Sequence, residues 1–351
     1  MNLNNILQIN NYKIFIVFLV IIDKMLLPKF VNKPYIPPLS IQGTKTRILH
    51  WLLQNIYWKG HGTYYEPFLG SASVVLNIQP KKAILNDNNP HIIQFYRDIQ
   101  QNKFTLLALK QYLLDCKQVL EKKGSDFYYE IRDQFNTSPS SFGLLFLNLT
   151  CWRNLMRFNA KGEFNAPFYQ IKQSKKLSDQ NRYLLNFNDV KGLYIIHYIE
   201  RIKYFQQIIQ SHDYIFSNED FESILEMATD NNDFCYCDPP YILRNTQYYG
   251  NFTEKQFNSL IEWSRTTKCN FAISNWYSDK NNINPYITHF NHCHIKQTPF
   301  HYQIGIGKKH ARNYSDLSVN ECLILSSNAY YQNNLSVNKN TLNFLLKKNN
   351  I

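Results

Sequence analysis

A short apolar segment that ends in two prolines constrains the fold of this chain most strongly. Residues 234–241 read Phe-Cys-Tyr-Cys-Asp-Pro-Pro-Tyr. The apolar half predicts a buried strand, and consecutive prolines cannot continue a sheet ladder, so the strand must end at Asp238 in a rigid loop. In an open α/β sheet, a loop at the carboxyl end of a strand lies where ligands bind.

The predicted loop presents hydrogen-bond acceptors beside an aromatic ring. The Asp238 carboxylate and the Pro239 carbonyl can hold both hydrogens of an exocyclic amine, while Tyr241 stacks on the ring that carries it. An amine held in this way directs its nitrogen lone pair at an electrophile. The alternative is a proline-rich turn with an ordinary packed tyrosine, and the tetrapeptide alone does not decide between the two.

Two further strands predict a nucleotide site. Residues 64–76 read as a strand, a turn of small residues around Gly70 and the start of a helix, where backbone can approach a ligand closely. A second strand, 83–87, ends in Asp87 about 20 residues on, where α/β nucleotide sites place the acceptor for the ribose hydroxyls. Upstream, a polar turn places Lys45 at the start of a helix.

The remaining elements follow from the same patterns. Residues 91–135 and 142–149 predict scaffold helices, Thr253 predicts a helix start, and 271–275 and 321–325 predict strands, the last of them closing the sheet. Residues 214–221 predict a strand and a loop, one sheet position before the strand at 234–237. There Asp220 and Phe221 are placed to bracket a purine.

Net charge and cysteine usage narrow the class of protein. A formal charge of +12 and a pI near 9.2 indicate a polyanionic partner, and nucleic acid fits better than a membrane surface because no basic amphipathic helix is present. Seven cysteines without a Cys-x-x-Cys pair predict neither a disulfide framework nor a structural zinc site, and hence a reducing cytoplasm. His289, His292 and His294 lack the partners of a metal site.

The two ends of the chain carry no motif. Residues 14–22 are apolar, but nine residues fall short of the ~20 that span a bilayer, and no small-residue cleavage site follows. We interpret residues 1–38 as an extension, with Met25 as the candidate start of translation, and 329–351 as a polar tail. A chain that starts at Met25 is expected to be fully active.

Residues 150–168 interleave basic and aromatic side chains around a predicted hairpin turn at 160–162. Guanidinium groups suit guanine edges and phosphates, and rings stack or wedge between bases, so this loop is a candidate DNA contact. A solvated hairpin with a few cation–π pairs is the alternative.

Taken together, these residues resemble the Dam-like, D12-class adenine-N6 DNA methyltransferases across about residues 40–328. The resemblance implies an α/β fold: a Rossmann-like class I methyltransferase sheet with an inserted, mainly helical target-recognition domain that carries a β-hairpin. It implies a catalytic domain at 39–98 and 178–328 and a recognition domain at 99–177. The motifs that carry it are Lys45, Glu66-Pro67-Phe68-x-Gly70, Asn86-Asp87, the segment from Arg157 to Phe168, Asp220-Phe221, and Asp238-Pro239-Pro240-Tyr241.

The resemblance also implies roles. S-adenosylmethionine is the donor, and no metal is needed. The cofactor-binding residues would be Lys45, Glu66, Pro67, Phe68, Gly70, Asp87, Asp220, Phe221 and Asp238; the catalytic residues Asp238, Pro239, Pro240 and Tyr241; and the DNA-binding residues Trp152, Arg153, Asn154, Arg157, Asn159, Lys161, Asn165 and Pro167. The expected partner is double-stranded DNA, with a restriction endonuclease as a candidate second partner, and the expected state is a monomer.

Three departures from the family pattern are visible. Ala72 stands where many members have glycine, and the leading motif has one glycine, Gly43, where many have two. Residues 152–155 read Trp-Arg-Asn-Leu, where GATC-reading members show an aromatic residue followed by Asn-Gly-Leu. The third departure puts GATC in doubt as the recognition sequence, and we expect a short adenine-containing site.

Two alternatives stay open at this point. The first is an N-methyltransferase that acts on RNA or on a protein amide, and the second is a DNA-binding relative that has lost catalysis. The basic and aromatic insert argues against the first, and the intact Asp238 and Tyr241 argue against the second.

Overall fold

The structure is a computed structural model that describes residues 34–103, 105–152, 156–168, 193–243, 249–250, 252–301 and 318–329. Its strands are β1 (Tyr64–Glu66), β2 (Lys82–Asn86), β3 (Asp213–Ser217), β4 (Phe234–Cys237), β5 (Asn270–Asp279), β6 (His294–His301) and β7 (Ser318–Leu325). They form one seven-stranded sheet in the order β3-β2-β1-β4-β5-β7-β6.

The helices are α1 (Leu49–Asn55), α2 (Val75–Ile78), α3 (Pro90–Gln100), α4 (Leu106–Lys123), α5 (Ser125–Thr137), α6 (Ser141–Thr150), α7 (Leu193–Ser211), α8 (Phe221–Met227) and α9 (Glu254–Thr266). Short 3-10 turns cover Lys45–Arg47 and Pro285–Phe290. Helix α9 begins with a capping box between Thr253 and Gln256, which confirms the predicted start.

The sheet is parallel from β3 to β5, and β7 runs antiparallel to both β5 and β6. All four residues of β4 are buried, as expected of a parallel strand covered on both faces. From β1 the chain builds outward to β2 and β3, then returns to place β4 on the other side of β1. The strand order therefore reverses between β1 and β4, and ligands of open α/β sheets bind at that reversal.

Each face of the sheet has its own core. Tyr64, Leu85 and Tyr236 point to one face, where α1, α3 and α7 pack. Tyr65 and Ile273 point to the other, together with the residues of α8 and α9. Cys235 and Cys237 share this second face, with their Sγ atoms 3.6 Å apart, and all seven cysteines are free thiols.

Helices α3 to α6 and a hairpin at 156–168 lie in the chain between β2 and β3. Helix α5 holds the hairpin: Asn136 Oδ1 accepts a hydrogen bond from Phe164 N at 2.7 Å, and the Tyr128 hydroxyl donates to Ala166 O at 2.8 Å. The predicted boundaries of the recognition domain stay a prediction, and its end at 169–177 falls outside the described residues.

Two expectations about strand order are wrong. Strand β3 lies at the sheet edge, three positions from β4, rather than one. Residues 294–301, which were not predicted as a strand, form the opposite edge, and the predicted closing strand β7 lies inside it. Apolar periodicity does not predict β6, because the strand contains Pro299 and its apolar and polar residues do not alternate regularly. A proline inside a strand is typical of edge strands.

Within the residues that the structure describes, no helix is long and apolar enough to cross a bilayer. The apolar run at 14–22, the candidate start at Met25 and the polar tail beyond 329 lie outside those residues.

Candidate active site

A cavity of about 840 Å³ opens at the carboxyl ends of β1, β2 and β4, where the strand order reverses. The loops that follow these strands line it, together with the turn around Lys45. The predicted cofactor-binding and catalytic motifs therefore share one cavity.

The first and last motifs meet in an ion pair. Lys45 Nζ lies 2.8 Å from Asp238 Oδ1, and the two side chains are 6% and 20% exposed. The same ammonium donates to Gly43 O at 3.1 Å and lies 5.1 Å from the centre of the Tyr241 ring. Lys45 thus holds both the acid and the ring of the tetrapeptide, which is a role that its sequence position did not predict.

Burial raises the pKa of Asp238 to about 6, and the negative charge of Glu321 adds to this effect while Lys45 opposes it. The carboxyl group is therefore ionised at neutral pH but is a better proton acceptor than an ordinary aspartate. A shift of this kind in a cavity is typical of a functional site.

A residue that sequence reasoning missed contacts the tetrapeptide from β7. Tyr241 donates its hydroxyl hydrogen to Glu321 Oε2 at 2.5 Å, and Glu321 is only 2% exposed. Next along the chain, Ile242 O accepts a hydrogen bond from Trp276 Nε1 at 3.1 Å. The signal that could have identified Glu321 is a lone acid at the start of the apolar run 321–325.

Asp87 lies at the end of β2 as predicted and anchors two neighbouring loops. Its Oδ2 accepts a hydrogen bond from Gly70 N at 2.7 Å, and its Oδ1 accepts one from Asn89 N at 2.9 Å. Burial nevertheless raises its pKa to about 6. Each carboxylate oxygen has a second lone pair for a ligand, so this arrangement is compatible with a ribose acceptor.

Asn86, the residue before it, joins the loops that follow β1 and β3. Its amide nitrogen donates to Pro67 O and Glu219 O, each at 3.1 Å, and its Oδ1 accepts from Glu219 N at 2.8 Å. A buried amide with these bonds satisfied fixes Pro67 relative to the loop that carries Asp220.

Three phenylalanine rings form an aromatic shelf on one side of the cavity. The centre of the Phe68 ring lies 5.0 Å from that of Phe221 and 5.7 Å from that of Phe252, and the latter two are 5.6 Å apart. The structure thus brings Phe68 and Phe221 together as predicted, and it adds Phe252. Asp220 lies beside the shelf, is exposed, and caps α8 by accepting from Glu222 N.

Glu66 and the small-residue turn complete the floor of the cavity. Burial raises the pKa of Glu66 well above its ordinary value, and the Tyr64 hydroxyl donates to its Oε2 at 3.0 Å. In the turn, Gly70 and Ala72 have φ angles of 49° and 61°. Ala72 therefore adopts the left-handed conformation that favours glycine, which explains physically why glycine suits this position.

The predicted DNA-binding residues on the hairpin serve partly to build it. Arg157 Nε donates to Asn165 Oδ1 at 2.9 Å, and its Nη2 donates to Asn165 O at 3.0 Å. Asn159 Oδ1 accepts from the backbone N–H groups of Lys161 and Glu163, both at 2.9 Å. The predicted turn at 160–162 is confirmed.

Other candidate DNA-binding residues lie on the surface. Trp152 is 41% exposed, and Lys161 and Pro167 are also exposed. Trp152 N donates to Pro167 O at 2.9 Å, which closes the base of the hairpin. Arg153 and Asn154 fall outside the described residues.

Tyr249 connects the segment that follows the tetrapeptide to the hairpin. The ring of Tyr249, in the segment that follows the tetrapeptide, lies 5.4 Å from the ring of Phe158, and Asn88 Nδ2 donates to Tyr249 O at 2.9 Å. Gly162 has a φ of 78°, and a Cβ added there would lie 2.9 Å from the Tyr249 hydroxyl oxygen. The glycine thus permits this close approach.

Comparisons with known proteins bear on the identity of this cavity. The Type II methyltransferase M.MjaIII of Methanocaldococcus jannaschii is 29% identical over 239 residues, which cover 63% of this chain and 75% of that protein. A DNA adenine methylase of Haemophilus influenzae is 30% identical over 223 residues, 61% of this chain and 65% of the relative, so less than two thirds of that protein is spanned. Among solved structures, the rRNA methyltransferase aviRa of Streptomyces viridochromogenes matches over 81% of this chain and 84% of that chain, at 11% identity. The TM-score of this match is 0.30, which is too low to support an inference.

A family model described as D12 class N6 adenine-specific DNA methyltransferase matches residues 42–298, which is more than half of the chain. The matched stretch includes Lys45, Asp87, Asp238 and Tyr241, and the seven-stranded sheet agrees with the predicted Rossmann-like class I methyltransferase fold. The chain belongs to the D12 class of N6 adenine-specific DNA methyltransferases.

Proposed function

We propose that the cavity binds S-adenosylmethionine as the methyl donor and that the chain methylates N6 of an adenine flipped out of duplex DNA, within a short recognition site. Methyltransferases in general use this donor. The observation that carries the proposal is that Asp238 and Tyr241 line the same cavity as Asp87 and the aromatic shelf.

The chemistry of the cavity suits the donor. Three carboxyl groups, those of Glu66, Asp87 and Asp238, face a ligand that carries a sulfonium and an ammonium group. The aromatic shelf of Phe68, Phe221 and Phe252 suits a purine. Asp87 would accept from the ribose hydroxyls, and Asp220, which lines the same cavity, would accept from the adenine amine. When bound, S-adenosylmethionine supplies an electrophilic methyl group together with its own leaving group.

Residues of the tetrapeptide would position the target base. The Asp238 carboxylate and the Pro239 carbonyl accept the two hydrogens of N6, which localises the lone pair on nitrogen, and the Tyr241 ring stacks on the base. Pro239 and Pro240 fix the backbone between these groups. Asp238 accepts the proton that N6 releases once the new N–C bond has formed, since its pKa is about 6.

DNA would approach from the side of the hairpin. Removing a base from the stack costs a few kcal/mol, and contacts from the inserted segment must offset this cost. Lys161 and Trp152 are exposed on or beside the hairpin and can contact phosphate and base, respectively. The net charge of +12 supports a polyanionic substrate.

The deciding experiment is transfer of tritium from labelled S-adenosylmethionine to separate pools of duplex DNA, RNA and protein, followed by sequencing of the methylated DNA. We expect label in N6-methyladenine of duplex DNA at one short site, and the sequencing decides whether that site is GATC or another sequence. Label in RNA or protein alone would refute the proposal in favour of an RNA or protein methyltransferase. Normal DNA binding without any transfer would refute it in favour of a DNA-binding relative that has lost catalysis. Sedimentation with and without DNA tests the expected monomer, and copurification tests a restriction endonuclease as partner.

A further inference from the structure

We propose that Glu321 is a positioning residue for the methyl transfer, which holds the Tyr241 hydroxyl so that the tyrosine ring forms a fixed wall for the target base. The inference rests on the function proposed above, because that function assigns Tyr241 to the base. Glu321 lies on β7, outside every motif by which the sequence was interpreted.

The contact between the two side chains is short and buried. The Tyr241 hydroxyl lies 2.5 Å from Glu321 Oε2, and Glu321 is 2% exposed. A desolvated carboxyl group needs hydrogen-bond donors to compensate for lost water, and a hydroxyl that donates to a carboxylate forms one of the stronger bonds available. This bond therefore restrains the tyrosine side chain as well as satisfying the acid.

Glu321 and Trp276 together form a clamp, by which we mean two paired strand residues that hold the loop after β4. Glu321 lies opposite Trp276 in the register of β7 and β5, and Trp276 Nε1 donates to Ile242 O at 3.1 Å. Two paired strand residues thus hold two consecutive loop residues, Tyr241 and Ile242. From the other side, Lys45 lies 5.1 Å from the Tyr241 ring centre.

The clamp restrains the Tyr241 side chain, which the prolines do not. Pro239 and Pro240 fix the backbone φ angle at their own positions, but they do not set the side-chain torsions of Tyr241. A ring must have a defined plane to stack on a base, and sites supported by strands are more precise than sites on loops alone. Misplacement by about 1 Å can cost up to about 100-fold in rate.

The test compares Glu321→Ala, Tyr241→Phe and the double variant in single-turnover methylation of unmethylated phage DNA with tritiated S-adenosylmethionine. Each single variant should lose about 10-fold to 100-fold in rate. The double variant should be no slower than the slower single variant, because both substitutions remove the same bond. Donor affinity by calorimetry should change less than about twofold.

Asn320→Ala is the matched control. Asn320 neighbours Glu321 on β7, is exposed, and donates from its Nδ2 to Ser278 Oγ at 2.9 Å, away from the tetrapeptide. Its methylation rate should stay within about twofold of wild type. Thermal unfolding of every variant shows whether a slow rate reflects a less stable sheet.

Glu321→Gln supplies a readout that a purely structural role would not change. Asp238 faces Lys45, which lowers its pKa, and Glu321, which raises it, while Glu66 and Tyr236 are its other titratable neighbours. Removing the negative charge of Glu321 should therefore shift the acid limb of the single-turnover pH profile to lower pH. The amide can still accept the Tyr241 hydroxyl, so the plateau rate should stay within about 10-fold of wild type.

Any of four results would overturn the inference. They are rates within twofold of wild type for both single variants, losses that multiply in the double variant, an acid limb unmoved in Glu321→Gln, and an equal loss in Asn320→Ala. A wild-type protein that transfers no methyl group to DNA would instead refute the proposed function, so the two failures are distinguishable.

Discussion

At the scale of single residues, the site depends on carboxyl groups that are buried yet ionised at neutral pH. Burial raises the pKa of both Asp87 and Asp238 to about 6. In the folded state each group binds a proton at higher pH than in the unfolded chain, so protonation favours folding. This contribution to the free energy of unfolding is complete below the ordinary aspartate pKa of about 4, and it is lost as pH rises through the folded-state pKa of about 6. Ionisation of the two carboxyl groups at neutral pH therefore lowers stability relative to their protonated forms, although the proposed function needs the ionised forms.

Asp238→Ala should abolish methyl transfer while donor binding stays largely intact, because the substitution removes an acceptor for the target amine. We expect a rate at least about 100-fold lower. Asp238→Asn keeps the volume and one acceptor but loses the charge that pairs with Lys45, so it should also be slow. Turnover near wild type in either variant, measured by tritium transfer, would contradict the assignment.

The pH dependence of transfer should follow Asp238. With saturating donor and DNA, the single-turnover rate should fall as pH drops through about 6, since the protonated carboxylic acid can no longer accept a proton from N6. A rate that is level from pH 7.5 to pH 5 would show that this ionisation does not limit transfer.

Asp87→Ala should weaken S-adenosylmethionine binding by ~1–3 kcal/mol, the usual cost of losing a hydrogen bond to a charged group. The melting temperature should also fall, because Gly70 N and Asn89 N lose their acceptor. Asp213→Ala, at the exposed amino end of β3, is the control and should leave the dissociation constant unchanged by calorimetry. An unchanged constant in Asp87→Ala would place the ribose acceptor elsewhere.

At the scale of elements, the hairpin combines a structural role with a recognition role. Arg157 binds Asn165 across the hairpin through its Nε and Nη2 atoms. The family resemblance places the same guanidinium at a base edge, where a bidentate contact to guanine provides ~1–3 kcal/mol of discrimination. The two roles can be separated by substituting each partner.

Arg157→Ala should relax the methylated site at one position, whereas Asn165→Ala, which keeps the guanidinium, should mainly lower hairpin stability. Sequencing of methylated DNA measures the first effect, and thermal unfolding measures the second. Uniformly weaker binding to all sequences in Arg157→Ala, with no change in site preference, would identify a phosphate contact instead.

At the scale of the whole molecule, the net charge of +12 predicts strongly salt-dependent DNA binding. Positive side chains outnumber negative ones by 12, and phosphates are the anions that can balance this excess. The cavity and the hairpin lie toward the carboxyl edge of the sheet. Cations at that edge should therefore make most of the contacts to DNA phosphates.

Lys161→Ala should lower the slope of log K against log salt concentration by about one unit, because it removes one phosphate contact from the hairpin. Lys268→Ala, an exposed cation before β5 at the opposite edge of the sheet, should leave the slope unchanged. Fluorescence anisotropy with a duplex at several salt concentrations measures both. Equal slopes in Lys161→Ala and wild type would remove the hairpin lysine from the interface.

The sequence alone was sufficient for most of the elements and for the family to which the chain belongs. Strand β4 and its proline stop, the helix start at Thr253 and the turn at 160–162 follow from local rules, since apolar periodicity and proline geometry act over a few residues. The motif residues were recognisable by their resemblance to the D12-class pattern, and Asp87 also by its spacing from the small-residue turn. The cavity does collect the predicted donor and catalytic residues.

The tertiary structure decided which distant residues meet. The ion pair of Lys45 with Asp238 and the bond from Tyr241 to Glu321 depend on strand order, and short-range patterns do not encode strand order. The same limit explains why β3 was expected beside β4 and why β6 was missed. Sequence determined the chemical groups, and the reversal of strand order between β1 and β4 determined how they face one another, because only the folded sheet brings separate loops to a common edge.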